Sequence, residues 1–158
     1  MSELGDLVDL LEEMQPQEKA YSIYLLFCFK CIHKLSLDLP DDIEQAVNLA
    51  YQYWFEADDG HVTAQDLAHL NRQIQQQINK SKKRYEIRYK TSWKFAQIVL
   101  STRTPSNDIA DHLDWAFELL RHLGGSRSLI YNILLEAKSE IDRLSENNSK
   151  YYAQRFKI

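Results

Sequence analysis

Two cysteines and a histidine have the most suggestive chemical spacing in this chain. Cys28, Cys31 and His33 form a C-x-x-C-x-H pattern. Haem attachment requires the histidine directly after the second cysteine, and a structural zinc site needs four ligands, so neither site is complete. A thioredoxin-like redox pair would require strands, whereas residues 21–32 read as an apolar helix. We therefore predict two buried structural thiols.

An acidic turn at Gly60 has the outline of a calcium loop. Aligning Gly60 with the sixth loop position puts Phe55 first, Ala57 third and Asp66 twelfth. Phe and Ala supply no side-chain oxygen, and Asp replaces the bidentate Glu of such loops. Thr63 and Asp66 instead match a capping box, so the turn is predicted to cap a helix and not to bind calcium.

The remaining residues with potential chemistry form no known catalytic pattern. His61 and His69 are eight apart, and His112 and His122 are ten apart, whereas a metal-binding pair on one helix face is spaced by four. The chain contains no nucleophile elbow, phosphate loop or dinucleotide fingerprint. We expect a protein that is not an enzyme and has no cofactor and no metal.

Composition indicates one globular, helical domain. A chain of 158 residues with 44% hydrophobic residues is long enough to bury a core. Only four Gly and three Pro interrupt it, which favours long helices over strands. The acidic N-terminus does not resemble a secretory signal, and residues 23–29 are too short an apolar run to span a membrane. With two cysteines, a reducing cytoplasm is the expected location.

The apolar periodicity predicts an all-α, single-domain bundle of six to seven helices over residues 1–148, followed by a tail at 149–158. The second helix, from Pro16 to about Leu35, is apolar nearly all round and should lie at the centre. Residues 64–100 contain no breaker, but they carry separate apolar stripes. We therefore predict a break or bend at residues 79–81.

Two of these helices have matching stripes. The third helix is predicted to bury Ile43, Val47, Ala50, Tyr51 and Trp54. A later helix places Ile109, Leu113, Ala116, Phe117 and Leu120 at the same spacing. Each stripe follows a proline and precedes a glycine turn. The match is either a duplicated helical hairpin or the spacing that any two amphipathic helices share.

Charge is strongly segregated between two neighbouring segments. Residues 38–66 contain eight acids and no Lys or Arg, whereas residues 72–103 contain nine bases and one acid. Either the two segments neutralise each other within the fold, or one of them is exposed to a charged partner. Complementary charge mainly raises association rates and selects partners.

The basic segment offers one function. Its residues Lys82, Lys83, Arg84, Arg88 and Lys90 alternate with aromatic residues, a pattern compatible with phosphate contacts and base stacking. The same aromatics also fit a buried stripe with a solvated basic face. A net charge of −4 makes nucleic acid a disfavoured partner. A helical nucleic-acid-associated or regulatory adaptor is therefore the alternative hypothesis.

The acidic segment carries a family resemblance. Residues 40–67, PDDIEQAVNLAYQYWFEADDGHVTAQDL, combine a proline-acid start, an alanine-spaced helix with a late Trp, an acidic Gly turn and a Thr-capped helix. This stretch resembles the small all-helical immunity proteins of bacterial polymorphic-toxin and contact-inhibition systems. The resemblance implies a cytoplasmic, stoichiometric inhibitor that docks an acidic face on a toxin's basic cleft.

The leading hypothesis is therefore a non-enzymatic protein-binding module with a protein partner, in its sharpest form a basic toxin domain. Toxin nucleases are basic because they bind phosphate, and an acidic helix pair can mimic that charge. Interface energy concentrates in a few residues, often aromatic ones, so Tyr53 and Phe55 are expected to be exposed anchors. The complete predicted face is Asp41, Asp42, Glu44, Tyr53, Phe55, Glu56, Asp58 and Asp59.

Overall fold

The described part of the chain is an array of seven helices. The computed structural model describes residues 3–15, 17–35, 41–55, 62–80, 87–100 and 109–147, with the backbone alone at 17–18, 41–42, 78, 80, 87–93 and 144–147. The helices are α1 (Glu3–Glu12), α2 (Gln17–Lys34), α3 (Asp41–Phe55), α4 (Ala64–Lys80), α5 (Ile87–Leu100), α6 (Ile109–His122) and α7 (Arg127–Asn147). Since no strand occurs in these ranges, the all-α prediction is confirmed.

Helix α2 forms the centre of the array, as its apolar sequence predicts. Every residue from Ala20 to Ile32 is buried except Lys30. Helices α5, α6 and α7 pack against α2, which covers it on several sides. Phe27 and Phe29 are among its fully buried side chains. A helix surrounded in this way has no solvent face, which explains why its apolar residues show so little periodicity.

The chain reverses direction between α4 and α5. The Gln97 Nε2 atom donates to Asn71 Oδ1 at 2.8 Å and to Gln75 Oε1 at 3.1 Å. In one straight helix, residues 71 and 97 would lie about 39 Å apart. The predicted break near residues 79–81 is therefore confirmed, and α4 and α5 pack as an antiparallel pair.

Side-chain contacts give the directions of the other helices. Phe29 of α2 packs on Tyr51 and Phe55, and His33 faces the earlier residue Val47, so α2 and α3 are antiparallel. The Trp54 Nε1 atom donates to the Val99 carbonyl oxygen at 3.0 Å, which joins the carboxyl ends of α3 and α5. These two neighbouring helices are therefore parallel.

Contacts to α2 extend this pattern to α6 and α7. Tyr24 packs on His112 and Phe27 on Phe117, so α2 and α6 are parallel. Lys19 pairs with Asp142, whereas Lys34 pairs with the earlier Glu136, so α2 and α7 are antiparallel.

Leu4 at the start of α1 lines one cleft with Arg121 at the end of α6, so α1 is antiparallel to α6. Each helix thus runs opposite to its predecessor. We call the end of the bundle where α2, α4 and α6 begin, and where α1, α3, α5 and α7 end, the upper end. The opposite end is the lower end.

Two helix starts are capped by hydroxyl side chains. Thr63 and Asp66 satisfy each other reciprocally: the Thr63 N–H donates to Asp66 Oδ2 at 3.0 Å, and the Asp66 N–H donates to Thr63 Oγ1 at 3.2 Å. The backbone and hydroxyl hydrogen bonds from Thr63 lower the pKa of the Asp66 carboxyl. Ser126 Oγ accepts from the Leu129 N–H at 3.2 Å and caps α7. The predicted capping box is confirmed.

A glycine in the left-handed region ends α6. Gly124 has a φ of 87°, and its N–H donates to the Arg121 carbonyl at 3.0 Å. The Gly125 N–H donates to the Leu120 carbonyl at 2.9 Å, which completes a Schellman motif. The corresponding turn at Gly60, the tail at 149–158 and the calcium-like positions 56–61 lie outside the described residues, and the duplicated hairpin stays a prediction.

Candidate functional site

The two aromatic residues predicted as exposed anchors are buried. Tyr53 and Phe55 are each only 8% exposed. The Tyr53 ring packs against Trp54 with centroids 4.9 Å apart, and Phe55 packs against Phe29 at 5.9 Å. The expectation of exposure is therefore wrong. Helix α3 contacts α2 on one side and α4 and α5 on the other. These neighbours bury more of the surface of α3 than its single apolar stripe.

The described outer surface of α3 is mostly uncharged. Glu44 is exposed there, together with Gln45, Asn48 and Gln52. Asp41 and Asp42 belong to the first turn of α3, where the backbone alone is described. Glu56, Asp58 and Asp59 lie outside the described residues. Among described side chains, this face of α3 therefore presents a single carboxylate.

The structure describes none of the side chains of the predicted basic patch. Lys82, Lys83 and Arg84 lie outside the described residues, and Arg88 and Lys90 belong to α5 with backbone alone. Helix α4 has 17 residues and is therefore about 25 Å long. In the sequence, α4 lies between the acidic segment 56–61 and the basic segment 81–86.

The described ion pairs lie between α2 and α7. The list is Lys19–Asp142 at 2.7 Å, Lys30–Glu140 at 2.7 Å, Lys30–Glu136 at 3.3 Å, Lys34–Glu136 at 2.5 Å and, within α7, Lys138–Asp142 at 2.7 Å. We call this row the α2–α7 seam. No ion pair between side chains that the structure describes joins the acidic segment 38–66 to the basic segment 72–103.

The seam perturbs its own carboxylates. A hydrogen bond from Lys34, with further help from Lys30, lowers the pKa of Glu136 despite some desolvation. Partial burial tends to raise the pKa of Asp142, but hydrogen bonds from Lys138 and Lys19 outweigh it, and the net shift is downward. These charges hold two helices together and are not directed at a ligand.

A different acidic surface is fully described, and it lies on α6. Trp115 is 51% exposed, an unusual environment for the largest apolar side chain. Asp111, Asp114 and Glu118 are exposed around it, at positions four before, one before and three after. Positions three or four apart are neighbours on a helix surface. None of the three carboxylates forms an ion pair with a described side chain.

Helix α1 packs directly against α6, on the side where Asp114, Phe117 and Arg121 lie. Its buried side is Leu4, Leu7, Val8 and Leu11, so its other side faces solvent. That solvent side carries exposed acidic residues and one large apolar residue, Leu10, which is 51% exposed. We define the α1–α6 face as Glu3, Asp6, Asp9, Leu10, Glu12, Glu13, Asp111, Asp114, Trp115 and Glu118.

A cleft borders this face at the lower end. It has a volume of about 340 Å³ and lies between α1, α6 and the start of α7. Its apolar lining is Leu4, Phe117 and Ile130, and its charged lining is Asp114, Glu118, Arg121 and Arg127. The cleft has carboxylates of α6 and guanidinium groups in its lining. It therefore suits a polypeptide with mixed polar and apolar side chains.

The cysteines and histidines have structural environments. Cys28 and Cys31 are both fully buried, as predicted. Burial raises the pKa of each thiol far above its ordinary value, which keeps both protonated and unreactive. His112 packs between the Tyr21 and Tyr24 rings, with centroids 6.3 and 5.8 Å away. Within the described residues, no three His, Cys, Asp or Glu side chains group closely enough to hold a metal ion.

The α1–α6 face was missed by the sequence analysis, although its signals are in the sequence. Trp115 is out of phase with the stripe formed by Ile109, Leu113 and Leu120. A tryptophan outside the buried stripe of an amphipathic helix is a candidate for exposure. The acids of residues 3–13 were used only to exclude a signal peptide. Their proximity to α6 depends on tertiary packing.

None of the helices in the described ranges combines the length and apolarity needed to cross a membrane. The chain matches no protein-family model, no curated protein and no solved structure.

Proposed function

We propose that this protein is a non-enzymatic binding module that holds a basic partner protein against the α1–α6 face. One observation carries the proposal: Trp115 is half exposed, and its helix-surface neighbours Asp111 and Glu118 have no ion-pair partner among described side chains. Tryptophan is the residue type most enriched at energetic centres of interfaces. Unpaired carboxylates around it select for a partner with Lys and Arg at its rim.

The surface is suited to fast, selective association. The α1–α6 face contains eight carboxylates, and the two arginines beside it, Arg121 and Arg127, border it only at the lower end. Such a field steers a cationic protein and repels acidic competitors. Leu10 on α1 and Trp115 on α6 supply apolar area, which the acidic residues alone would lack. The resemblance of residues 40–67 to immunity proteins supports a specific form of this function, the stoichiometric inhibition of a basic bacterial toxin domain.

The first test is a partner capture with matched variants. Wild-type protein, a Trp115→Ala/Glu118→Lys variant and a Glu44→Lys control are immobilised and exposed to extract of the native host. Glu44 is the matched control because it is an exposed carboxylate on α3, away from the proposed face. We expect a basic protein that binds wild type and the control, is lost from the α6 variant, and dissociates with increasing salt.

A second variant separates the two acidic regions. Asp58→Lys/Asp59→Lys changes the acidic turn and leaves the α1–α6 face intact. Retention of the basic protein by this variant supports the α1–α6 face, whereas its loss, together with retention by the α6 variant, contradicts the proposal. If the retained protein is a toxin, co-expression with wild type restores growth of the host, and co-expression with the α6 variant does not.

A further inference from the structure

The C-terminal segment 148–158 has the composition that the α1–α6 face would select. It contains three bases (Lys150, Arg155, Lys157), three aromatic residues (Tyr151, Tyr152, Phe156) and no acid. The face has the complementary composition, with eight carboxylates and two exposed apolar side chains, and the arginines that border it, Arg121 and Arg127, lie at its lower end. A basic, aromatic peptide is therefore an occupant of matched charge and polarity.

The fold brings this segment to the correct end of the bundle. Asp142 of α7 contacts Lys19 at the start of α2, and α7 continues for five more residues beyond it, about 7.5 Å. The chain therefore leaves α7 at the upper end. Helix α1 also ends there, with Glu12 and Glu13, a few residues before α2 begins.

The exposed face of α6 begins at the same end. His112 packs against Tyr21 and Tyr24 near the start of α2, and Asp111 and Trp115 flank His112 in sequence. Asp111 to Glu118 spans about 10 Å along the helix, whereas eleven extended residues reach about 36 Å. Segment 148–158 is therefore long enough to cover the face from its point of departure.

We infer that segment 148–158 binds the α1–α6 face within the same molecule and competes with the partner for it. The inference rests on the proposed function and identifies how that site is regulated. Since the segment is tethered, its effective concentration is on the order of millimolar, so weak peptide affinity is sufficient for occupancy. A partner with a stronger basic surface displaces it.

The test uses the full chain labelled with 5-fluorotryptophan. The three tryptophans give separate fluorine resonances, and a Trp115→Phe variant assigns one of them. In the test variant, Lys150→Glu, Arg155→Glu and Lys157→Glu reverse the segment's charge. In the matched control, Lys150→Arg, Arg155→Lys and Lys157→Arg conserve it. We expect the Trp115 resonance to move in the reversed variant and to stay in place in the control.

Addition of a synthetic peptide of residues 148–158 to the reversed variant should return the Trp115 resonance to its wild-type position. If neither the charge reversal nor the peptide changes the Trp115 resonance, the inference is overturned.

Zero-length carbodiimide crosslinking of the wild-type protein identifies where segment 148–158 binds. Intramolecular links from Lys150 or Lys157 to carboxylates of α1 or α6 support the inference. Links only to residues 56–59, or only between two molecules, contradict it.

Failure of the inference and failure of the proposed function give different results. If the segment covers the face in nine molecules of ten, charge reversal should raise the affinity for the captured basic protein about tenfold. If Trp115→Ala leaves that affinity unchanged, the proposed function fails whatever the resonance does. If Trp115→Ala abolishes binding but charge reversal changes neither the resonance nor the affinity, only the role of the segment fails.

Discussion

Helices α3 and α6 each carry one tryptophan, but the two side chains have opposite environments. Trp54 of α3 is 5% exposed, and its indole N–H donates to the Val99 carbonyl of α5. Trp115 of α6 is half exposed, and its neighbours Asp111 and Glu118 form no ion pair with a described side chain. The first tryptophan holds two helices together. The second is available to a partner.

The difference arises from phase and from neighbours. Trp54 lies in the stripe that begins with Ile43 and Val47, whereas Trp115 lies outside the stripe that begins with Ile109. Helix α3 also has neighbours on both sides, and these bury Tyr53 and Phe55 beyond the stripe. Helical phase therefore predicts that residues within the apolar stripe are buried. Whether residues outside the stripe are exposed depends on how many other helices pack around that helix.

The largest expected effect is on the stability of the α3 side. Trp54→Ala removes a buried indole and leaves the Val99 carbonyl without its donor, so the free energy of unfolding should fall by about 3–5 kcal/mol. Urea denaturation measures this change. Trp115→Ala is the matched control and should change the same quantity by less than about 0.5 kcal/mol. Equal losses in both variants would remove the distinction between the two helices.

The next effect is on binding at the α6 side. Trp115→Ala should weaken the affinity for the captured basic protein by about 30-fold, equivalent to about 2 kcal/mol, because truncation of an interface hot spot costs this much. Titration calorimetry at fixed salt measures the affinity. Exposed Leu135 on α7 provides a comparison outside the proposed face. Equal losses of affinity in Leu135→Ala and Trp115→Ala argue against a specific site.

A smaller effect tests whether the turns after α3 and α6 are equivalent. Gly124→Ala forces a Cβ into a φ of 87°, although no atom lies within 4 Å of that Cβ. Backbone strain alone should then lower the unfolding free energy by about 1–2 kcal/mol, and Gly124→Asn should cost less. If the hairpins are related, Gly60→Ala should show a similar loss in the same urea experiment. A negligible loss at Gly60 alone argues against a shared turn.

The smallest expected effect is on the pH dependence of stability. It concerns the carboxylates that pair with lysines in the α2–α7 seam, in contrast to those of α6, which pair with no described cation. Lysine contacts hold the pKa values of Glu136 and Asp142 below their ordinary values of 4.5 and 3.8. The associated stability is present above pH 4.5 and is lost as the pH falls through the lowered folded-state pKa values. Each exposed pair contributes less than about 1 kcal/mol.

Urea denaturation between pH 7 and pH 3 measures this dependence. Glu136→Gln should reduce the acid-induced loss of stability, because the variant lacks one of the carboxylates that must be protonated. Glu118→Gln is the control on α6, where no cation among the described side chains pairs with the carboxylate. An acid-induced loss that is unchanged in Glu136→Gln would show that the seam does not contribute to the pH dependence.

Local patterns were sufficient for much of the architecture. The sequence alone determined the helical class, the central position of α2, the capping box at Thr63 and Asp66, and the break after α4. Each of these depends on residues within a few turns of one another, where hydrogen bonds and helical periodicity act directly. The burial of Cys28 and Cys31 was also predictable, because the helix that carries them is apolar nearly all round and must be covered by other helices.

Only the tertiary structure decided which surface remains exposed. It buried Tyr53 and Phe55, placed lysines of α2 on carboxylates of α7, and set acidic α1 beside acidic α6. These relations join residues that are far apart in the sequence, by 26 positions for Phe29 and Phe55 and by 106 positions for Lys30 and Glu136, so no local window contains them. Burial and charge pairing depend on neighbours in space. For this reason Trp115 of α6, and not Tyr53 or Phe55 of α3, is the exposed aromatic residue beside acidic side chains.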